Sequence, residues 1–232
     1  MKTRVDGLVS VVIPCYNASP YIEDCLNGLQ SQTYQNIEVI LVNDCSTDNT
    51  IEIVERWKEK SNPSFPVIIC NLPVNTGFAG ALTVGYFMSS GEYIAVNDAD
   101  DISHPSRFEK QIDFLLANPQ YDLVGTNYKV FSERDNKEKG KDANWLYYGE
   151  AIRNIYAKGL HCVCHGTILF RGAVFDRLGG PTRRINGAED YEFIVKFLNA
   201  NLKIDNIREV LYYYRIHENQ RSKQFYGSDA NE

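Results

Sequence analysis

Three acids crowd into four positions where an apolar stretch ends: YIAVNDADDIS, residues 93–103, carries Asp98, Asp100 and Asp101. Carboxylates this close repel one another, so the cluster needs a counter-charge or a structural use. Oxygen ligands at a strand end suit Mg2+ or Mn2+, hard ions that keep several waters and share phosphate oxygens. In extended geometry Asp98 and Asp100 fall on one side, as two ligands of one ion do. The competing use is a helix cap, because Asp101 or Ser103 precedes a helix that starts near Pro105. Taken alone, Asp-x-Asp leaves both uses open.

Four further stretches carry side chains capable of chemistry. VNDCSTDNT (42–50) ends an apolar run on Asp44, a carboxylate placed to accept from an N–H of a bound base. Ser46, Thr47 and Asp48 have the spacing of turns and caps. NTGFAGA (75–81) holds Gly77 and Gly80, which permit close backbone approach to a phosphate at a helix N-terminus. It lacks the spacing of a dinucleotide or P-loop signature. GAEDYEF (187–193) puts Glu189 and Asp190 at a helix start after a polar loop. A carboxylate there serves either as a general base facing a crevice or as a partner of the helix dipole. HCVCH (161–165) has the composition of a zinc site. Read as a strand, however, it sends His161, Val163 and His165 to one side and Cys162 and Cys164 to the other, and no second cluster completes a tetrahedral set. His165 remains a residue that could line the crevice.

These side chains need a scaffold. LVSVVIP (8–14), IEVILVND (37–44), VIIC (67–70) and YIAV (93–96) are near-continuous apolar runs, which predicts strands buried on both faces and hence parallel. Helices alternate with them. Ser19-Pro20 reads as N-cap and first helical position before Ile22, Cys25, Leu26 and Leu29. A second helix carries Ile51, Val54 and Trp57, and a third runs from the glycine loop to about Ser89. His104-Pro105 opens a fourth, with Phe108, Ile112, Leu115 and Leu116 on one face. This alternation predicts an α/β doubly wound, mainly parallel sheet with helices on both faces, which binds ligands beyond its C-terminal strand ends. The strands end in Tyr16 and Asn17, Asn43 and Asp44, Asn71, and Asn97 and Asp98, so these polar residues converge on one site. The second half predicts a strand at 122–131, a charged loop at 134–144 and a helix within 145–158. Then come a strand at 163–170, a short helix at 172–180, a polar loop at 181–188 and a helix at 189–200. Strands at 202–207 and 210–216 precede a tail that frays after Gln220.

The 232 residues are 44% hydrophobic, enough for one core, and the net charge of −6 gives no basic bias toward nucleic acid. No stretch approaches the ~20 apolar residues of a membrane span. The N-terminus lacks the pattern of a secretory leader, and six scattered cysteines fit a reducing compartment, so the expected location is the cytoplasm.

VSVVIPCYNASPYIEDCLNGLQSQTYQNIEVILVNDCSTDNT, NTGFAGA, GEYIAVNDADD, GAEDYEF and YYYRIHENQ, in that order, resemble family 2 inverting glycosyltransferases of the GT-A fold, over about residues 8–218. The resemblance implies a nucleotide-sugar donor, usually a UDP-sugar, and a divalent ion, Mn2+ or Mg2+. It implies one GT-A domain with a nucleotide-sugar-binding half at 1–125, an acceptor-binding half at 126–220 and a flexible tail at 221–232. Pro14, Tyr16 and Asn17 match the wall around the nucleotide base. Asp44 matches the acid that recognises uracil, and Asn75 and Gly77 match the loop near the nucleotide. Asp98 and Asp100, with Ala99 between them, match the Asp-x-Asp that binds ribose and metal, and Asp101 adjoins as a further metal-ligand candidate. Asp190 matches the catalytic base, and His217 a late histidine that approaches the diphosphate or metal. The chain departs from the pattern at Leu82 and Thr83, which stand where the family often has Arg-Asn. Asn43 and Cys45 replace a common Asp and Gly, and both read as tolerable.

The implied mechanism is one in-line displacement at the anomeric carbon. Asp190 takes the acceptor's proton, and the metal neutralises the leaving diphosphate. The loops at 134–144 and 181–188 are placed to close over the substrates. By analogy the acceptor is a cell-surface glycan or a lipid-linked glycan. A lipid-linked acceptor implies peripheral contact with the inner face of a membrane, to which the basic and aromatic YYYRIHENQRSKQFY contributes. Two rival readings are weaker. A sugar-phosphate nucleotidyltransferase carries a Gly-rich basic loop after its first strand, which PCYNASPYIED is not. A non-catalytic nucleotide-sugar-binding module has no need of both Asp190 and the acid cluster.

Overall fold

A computed structural model describes residues 3–132, 136–182 and 187–226, the last three as backbone. Its first half alternates as predicted: β1 (Val5–Cys15), α1 (Ile22–Gln30), β2 (Ile37–Asn43), α2 (Thr50–Ser61), β3 (Val67–Asn71), α3 (Phe78–Met88) and β4 (Gly91–Val96). A two-residue β5 (Ile102–Ser103), α4 (Arg107–Ala117) and β6 (Leu123–Ser132) follow. The rest comprises β7 (Lys141–Asp142), α5 (Ala151–Ala157), β8 (Leu169–Arg171), α6 (Gly172–Leu178), α7 (Glu189–Asn199), β9 (Ile204–Ile216) and α8 (Arg221–Tyr226). The sheet order is β3-β2-β1-β4-β8-β6-β9-β5, with β7 beside β6. β1 to β4 are mutually parallel, β8 runs antiparallel to both neighbours, and β6 and β9 are again parallel.

The apolar runs are continuous because both sheet faces are covered. Val9, Val11 and Ile13 of β1 meet α1, α2 and α4, while Val12 meets the cluster of α3, α5, α6 and α7. α3 lies unusually close to the sheet at Gly85, where a Cβ would come within 2.3 Å of Val12 Cγ1. That approach fixes where the glycine loop preceding α3 can sit.

Several local expectations are corrected. α1 starts at Ile22 and not at Ser19-Pro20, because Ser19 donates its N–H to Asp48 Oδ2 (3.0 Å) and the pair lies in a turn tied to the loop after β2. Leu116 is exposed, away from the buried stripe of α4. Residues 163–168 are not strand: His165–Thr167 form a 3-10 turn held by the Thr167 hydroxyl donating to the Cys164 carbonyl (2.8 Å), and only Leu169–Arg171 pair. The two late strands are one, β9, whose pairing with β6 shifts register near Asn127. Within the charged loop, 137–139 form a 3-10 turn and β7 pairs with β6. Residues 133–135 of that loop and 183–186 of the polar loop lie outside the described residues, as do 227–232 of the tail. Residues 221–226 are helical rather than frayed.

Candidate active site

The C-terminal ends of β1 and β2 are stitched to each other and to the glycine loop. Asn17 sits at φ 52° and accepts from the Thr47 N–H (2.8 Å), while its own N–H donates to Ser46 Oγ (3.0 Å). Asp48 accepts from the Thr50 N–H and hydroxyl, so 46–48 do make turns and caps. Asp44 is buried. Its Oδ1 accepts from the Thr76 N–H (2.6 Å) and hydroxyl (2.9 Å), and its Oδ2 from the Gly77 N–H (2.8 Å). Asn75 completes the clamp by donating to the Asp44 carbonyl (3.0 Å). A carboxylate offers about four acceptor sites, so one lone pair on Oδ2 stays available. Asp44 therefore holds the Asn75–Gly77 loop first and faces a ligand with what remains. Tyr16 at the end of β1 is 52% exposed, and Pro14 is buried in β1 against Val42.

Cys45 adopts φ 64°, a left-handed conformation that costs a side-chain-bearing residue roughly 1–2 kcal/mol. The substitution that reads as tolerable in sequence is thus strained. Cys45→Gly is expected to stabilise the fold by about 1 kcal/mol after the greater unfolded-state freedom of glycine is counted, measured by urea unfolding. An unchanged or lower stability would contradict this strain.

The acid cluster follows β4 and is braced from behind. Arg107, wholly buried, donates to Val96 O (2.8 Å), Asn97 Oδ1 (3.2 Å), Ser103 Oγ (3.0 Å) and Gln111 Oε1 (3.1 Å), and lies 5.0 Å from the Tyr212 ring centroid. The Tyr212 hydroxyl accepts the Asp98 N–H (3.0 Å). Asp98 is half-buried, with Oδ1 out of solvent and unpartnered; desolvation foremost, then the nearby Asp100 charge, pushes its pKa up to about 7 against the pull of Arg107 and Arg221. Asp101 is buried. Its Oδ1 accepts the Arg215 N–H (2.8 Å), and burial holds its carboxyl well above the usual range. Asp100 is different: its side chain is 29% exposed, and Oδ2 meets His217 Nε2 at 2.9 Å. Ala99 is buried in the turn between them. The cap alternative is set aside, since the N-cap of α4 is Ser106 with no side-chain cap and Ser103 belongs to β5.

Across the crevice, α7 begins with Glu189 and Asp190. Buried Glu189 forms an ion pair with Arg221 of α8, whose guanidinium lies 5.1 Å from the Phe78 ring centroid. Asp190 Oδ1 accepts the Tyr191 N–H (2.7 Å), and Oδ2 lies 3.5 Å from His161 Nε2. His165, between Phe78 and Phe193, is buried with neither ring nitrogen hydrogen-bonded; burial pushes its pKa down to about 4 although Asp190 opposes the shift. Gly166 lies directly against the first acidic centre: a Cβ there would be 2.7 Å from Asp98 Oδ2 and 2.8 Å from the Tyr212 hydroxyl.

Arg107, Tyr212, Gly166 and Arg221 were not singled out from sequence. One signal existed: Arg107 and Gln111 sit at i, i+4 within the apolar stripe of α4, an uncommon place for polar side chains unless they are paired. Leu82, where the family often has an arginine, is core, and Thr83 turns its hydroxyl to the Ala79 carbonyl (2.8 Å). The cation near the start of α3 comes instead from Arg221, contributed by the other end of the chain.

The residues present suit a hard divalent ion. Asp98 Oδ1, Asp101 Oδ2 and His217 Nδ1 are buried without hydrogen-bond partners, and burial first, then the Asp100 charge, disfavours ionisation of Asp98 and Asp101, a cost that a cation would offset. Among the described residues no three His, Cys, Asp or Glu side chains converge as a ready cage. Mg2+ and Mn2+ sites in general use one or two carboxylates together with water and phosphate oxygens.

Comparison with known proteins gives the family and the fold. The sequence matches the Glycosyl transferase family 2 profile over residues 10–179. It is 32% identical over 209 residues to EpsE of Bacillus subtilis, named as a glycosyltransferase, covering 89% of this chain and 72% of EpsE. It is 28% identical to the O-antigen biosynthesis glycosyltransferase WbnJ of Escherichia coli, covering 96% of this chain and 85% of WbnJ. Among solved structures, Staphylococcus aureus TarS in complex with UDP-GlcNAc superposes with a TM-score of 0.76 at 25% identity, covering 97% of this chain and 62% of TarS 1-349. The mannosyltransferase PcManGT of Pyrobaculum calidifontis, in complex with GDP-Man and Mn2+, gives 0.70 at 22% identity, over 92% of this chain and 58% of that one, and so shares the fold. The chain belongs to glycosyl transferase family 2.

Proposed function

We propose that this chain transfers a sugar from a UDP-sugar to an acceptor hydroxyl with inversion at the anomeric carbon. The observation that carries this reading is the approach of two acidic centres, the cluster after β4 and Asp190 of α7. Asp98, Asp100 and His217 gather at the end of β4, and Asp190 stands at the start of α7, near enough that its charge adds to the raised pKa of Asp98. One in-line displacement needs one base and one counter-charge, with no nucleophilic side chain and no covalent intermediate, so configuration inverts.

Each residue has a task in this scheme. The exposed ring of Tyr16, with the remaining lone pair of Asp44, receives the base, and the clamped Asn75–Gly77 loop carries the nucleotide's flank. Asp190 takes the proton of the acceptor hydroxyl, with Oδ1 held by the Tyr191 N–H and Oδ2 left to receive the proton. Arg221 and the first turn of α3 sit where they can meet donor phosphate charge. Asp100 and His217, with Asp98 behind them, would hold a divalent ion, which when bound supplies charge neutralisation for the leaving diphosphate.

TarS in complex with UDP-GlcNAc supports a UDP-sugar donor here, and the naming of WbnJ for O-antigen biosynthesis supports a glycan acceptor. No described helix is long and apolar enough to cross a membrane. The test is thermal unfolding with UDP or GDP, each with and without Mn2+, followed by UDP release across a panel of UDP-sugars. A nucleotide at about 100 times its Kd stabilises by about 2.7 kcal/mol, and UDP with Mn2+ is expected to give the largest shift. If neither nucleotide shifts the transition under any condition, the crevice is not a donor site; a shift by GDP alone replaces the donor.

A further inference from the structure

HCVCH is the one stretch singled out in the sequence that the proposed mechanism leaves without a use. Cys162 and Cys164 are buried in apolar clusters. His161 is not absorbed by the core. It stands between Tyr156 and Asp190, with Nδ1 2.6 Å from the Tyr156 hydroxyl oxygen and Nε2 3.5 Å from Asp190 Oδ2.

We propose that His161 is a positioning residue for Asp190: its Nε2–H steers the free carboxylate oxygen, and the Tyr156 hydroxyl locks the imidazole in the tautomer that makes this possible. The inference rests on reading Asp190 as the base.

The surroundings leave the ring little freedom. Trp145 covers it at 5.5 Å between centroids and 32° between planes, and the Trp145 indole N–H donates to the Tyr128 hydroxyl at 2.6 Å. Tyr156 stacks on Tyr191 at 5.2 Å, and the Tyr191 hydroxyl donates to the Tyr156 carbonyl (3.3 Å). Tyr191 in turn supplies the N–H that fixes Asp190 Oδ1. One carboxylate oxygen is thus held by the backbone and the other faced by the imidazole.

The tautomer follows from proton bookkeeping. Burial raises the Tyr156 phenol far above its ordinary range, so it keeps its proton. The Asp190 carboxylate only accepts, so facing Nε2 it favours the ring proton there, and the phenol 2.6 Å from Nδ1 then donates to that nitrogen. Burial lowers the His161 pKa against the opposing charge of Asp190, so the ring is neutral near pH 7. A neutral donor orients a carboxylate while depressing its basicity less than a cation would, which suits a base that must accept a proton. At 3.5 Å the contact is longer than a good hydrogen bond, and contacts to a catalytic base often tighten only when substrate is bound.

Two measurements test this. Long-range 1H–15N spectra of the labelled protein at neutral pH report the tautomer of each of the four histidines; His161 is identified by its loss in His161→Gln. The expected state is neutral Nε2–H, redistributed toward Nδ1–H in Tyr156→Phe. Finding Nδ1–H or imidazolium in the wild type overturns the proposal, and this readout needs no turnover. Kinetics then follow on the UDP-sugar that releases UDP. His161→Phe is expected to lower kcat by about 10²-fold at unchanged donor KM, the scale of a misplaced catalytic group, and His161→Gln to recover most of it because its amide N–H reaches the Nε2 position. If Asp190→Asn is inactive while His161→Phe keeps wild-type kcat, the inference alone falls. If Asp190→Asn is active, the reading of Asp190 falls with it.

Discussion

Asp190→Asn is expected to lower kcat for sugar transfer by about 10²–10⁴-fold, the contribution of a positioned general base, while UDP affinity stays near that of the wild type. The exchange keeps shape: the amide oxygen can still accept the Tyr191 N–H now found at 2.7 Å from Asp190 Oδ1. α7 loses one of three acids in its first turn, which costs about 0.3–1 kcal/mol of helix-dipole interaction and leaves the fold intact. A loss of activity in this variant therefore reports on chemistry. Initial rates paired with calorimetric titration of UDP make the distinction. Transfer at near-wild-type rate would remove Asp190 as the base, and an equal loss of UDP binding would make it a structural residue.

The second large effect falls on the metal-dependent part of donor binding. Asp100→Ala is expected to weaken UDP binding in Mn2+ by at least about tenfold, roughly 1.4 kcal/mol, with UDP affinity in chelator unchanged. Asp100 is chosen over its neighbours because its side chain is 29% exposed and touches His217, at 2.9 Å. Asp101 spends one oxygen on the Arg215 N–H and is buried. Titrations of both proteins with UDP, with and without Mn2+, decide the matter. If the variant retains the same gain from Mn2+, the ligand role moves to Asp98 or elsewhere.

Much of the first half was readable because its physics is local. A strand covered on both faces must be apolar throughout, so residues 8–14, 37–44 and 93–96 announced themselves. Where an apolar run is held by side-chain hydrogen bonds, the pattern misleads: VCHGTILF looks like a strand, yet the Thr167 hydroxyl and the Cys164 carbonyl curl most of it into a turn. Leu116 shows the opposite failure, an apolar residue at helical spacing with nothing packed above it. In the site, the acids were legible from type and order, but their supports were not. Tyr212 braces Asp98 from 114 positions away, and Gly166 matters only because Asp98 lies against its backbone. Cys45 looked harmless because a sequence does not print φ.

The long pairing of β9 also orders events in time. Tyr212, Arg215 and His217 reach Asp98, Asp101 and Asp100 across 114, 114 and 117 residues, and all three come from one strand and its immediate exit. During synthesis at roughly 5–20 residues per second the first four parallel strands are available well before these partners leave the ribosome. Until β9 docks, the acids after β4 lack both a backbone anchor and an imidazole. A nascent chain can thus assemble its base-binding wall early while its ion site stays unfinished. Contacts this distant in sequence also slow the final closure of the fold. Activity should then appear as a late, single step in refolding, after most of the helical signal has returned.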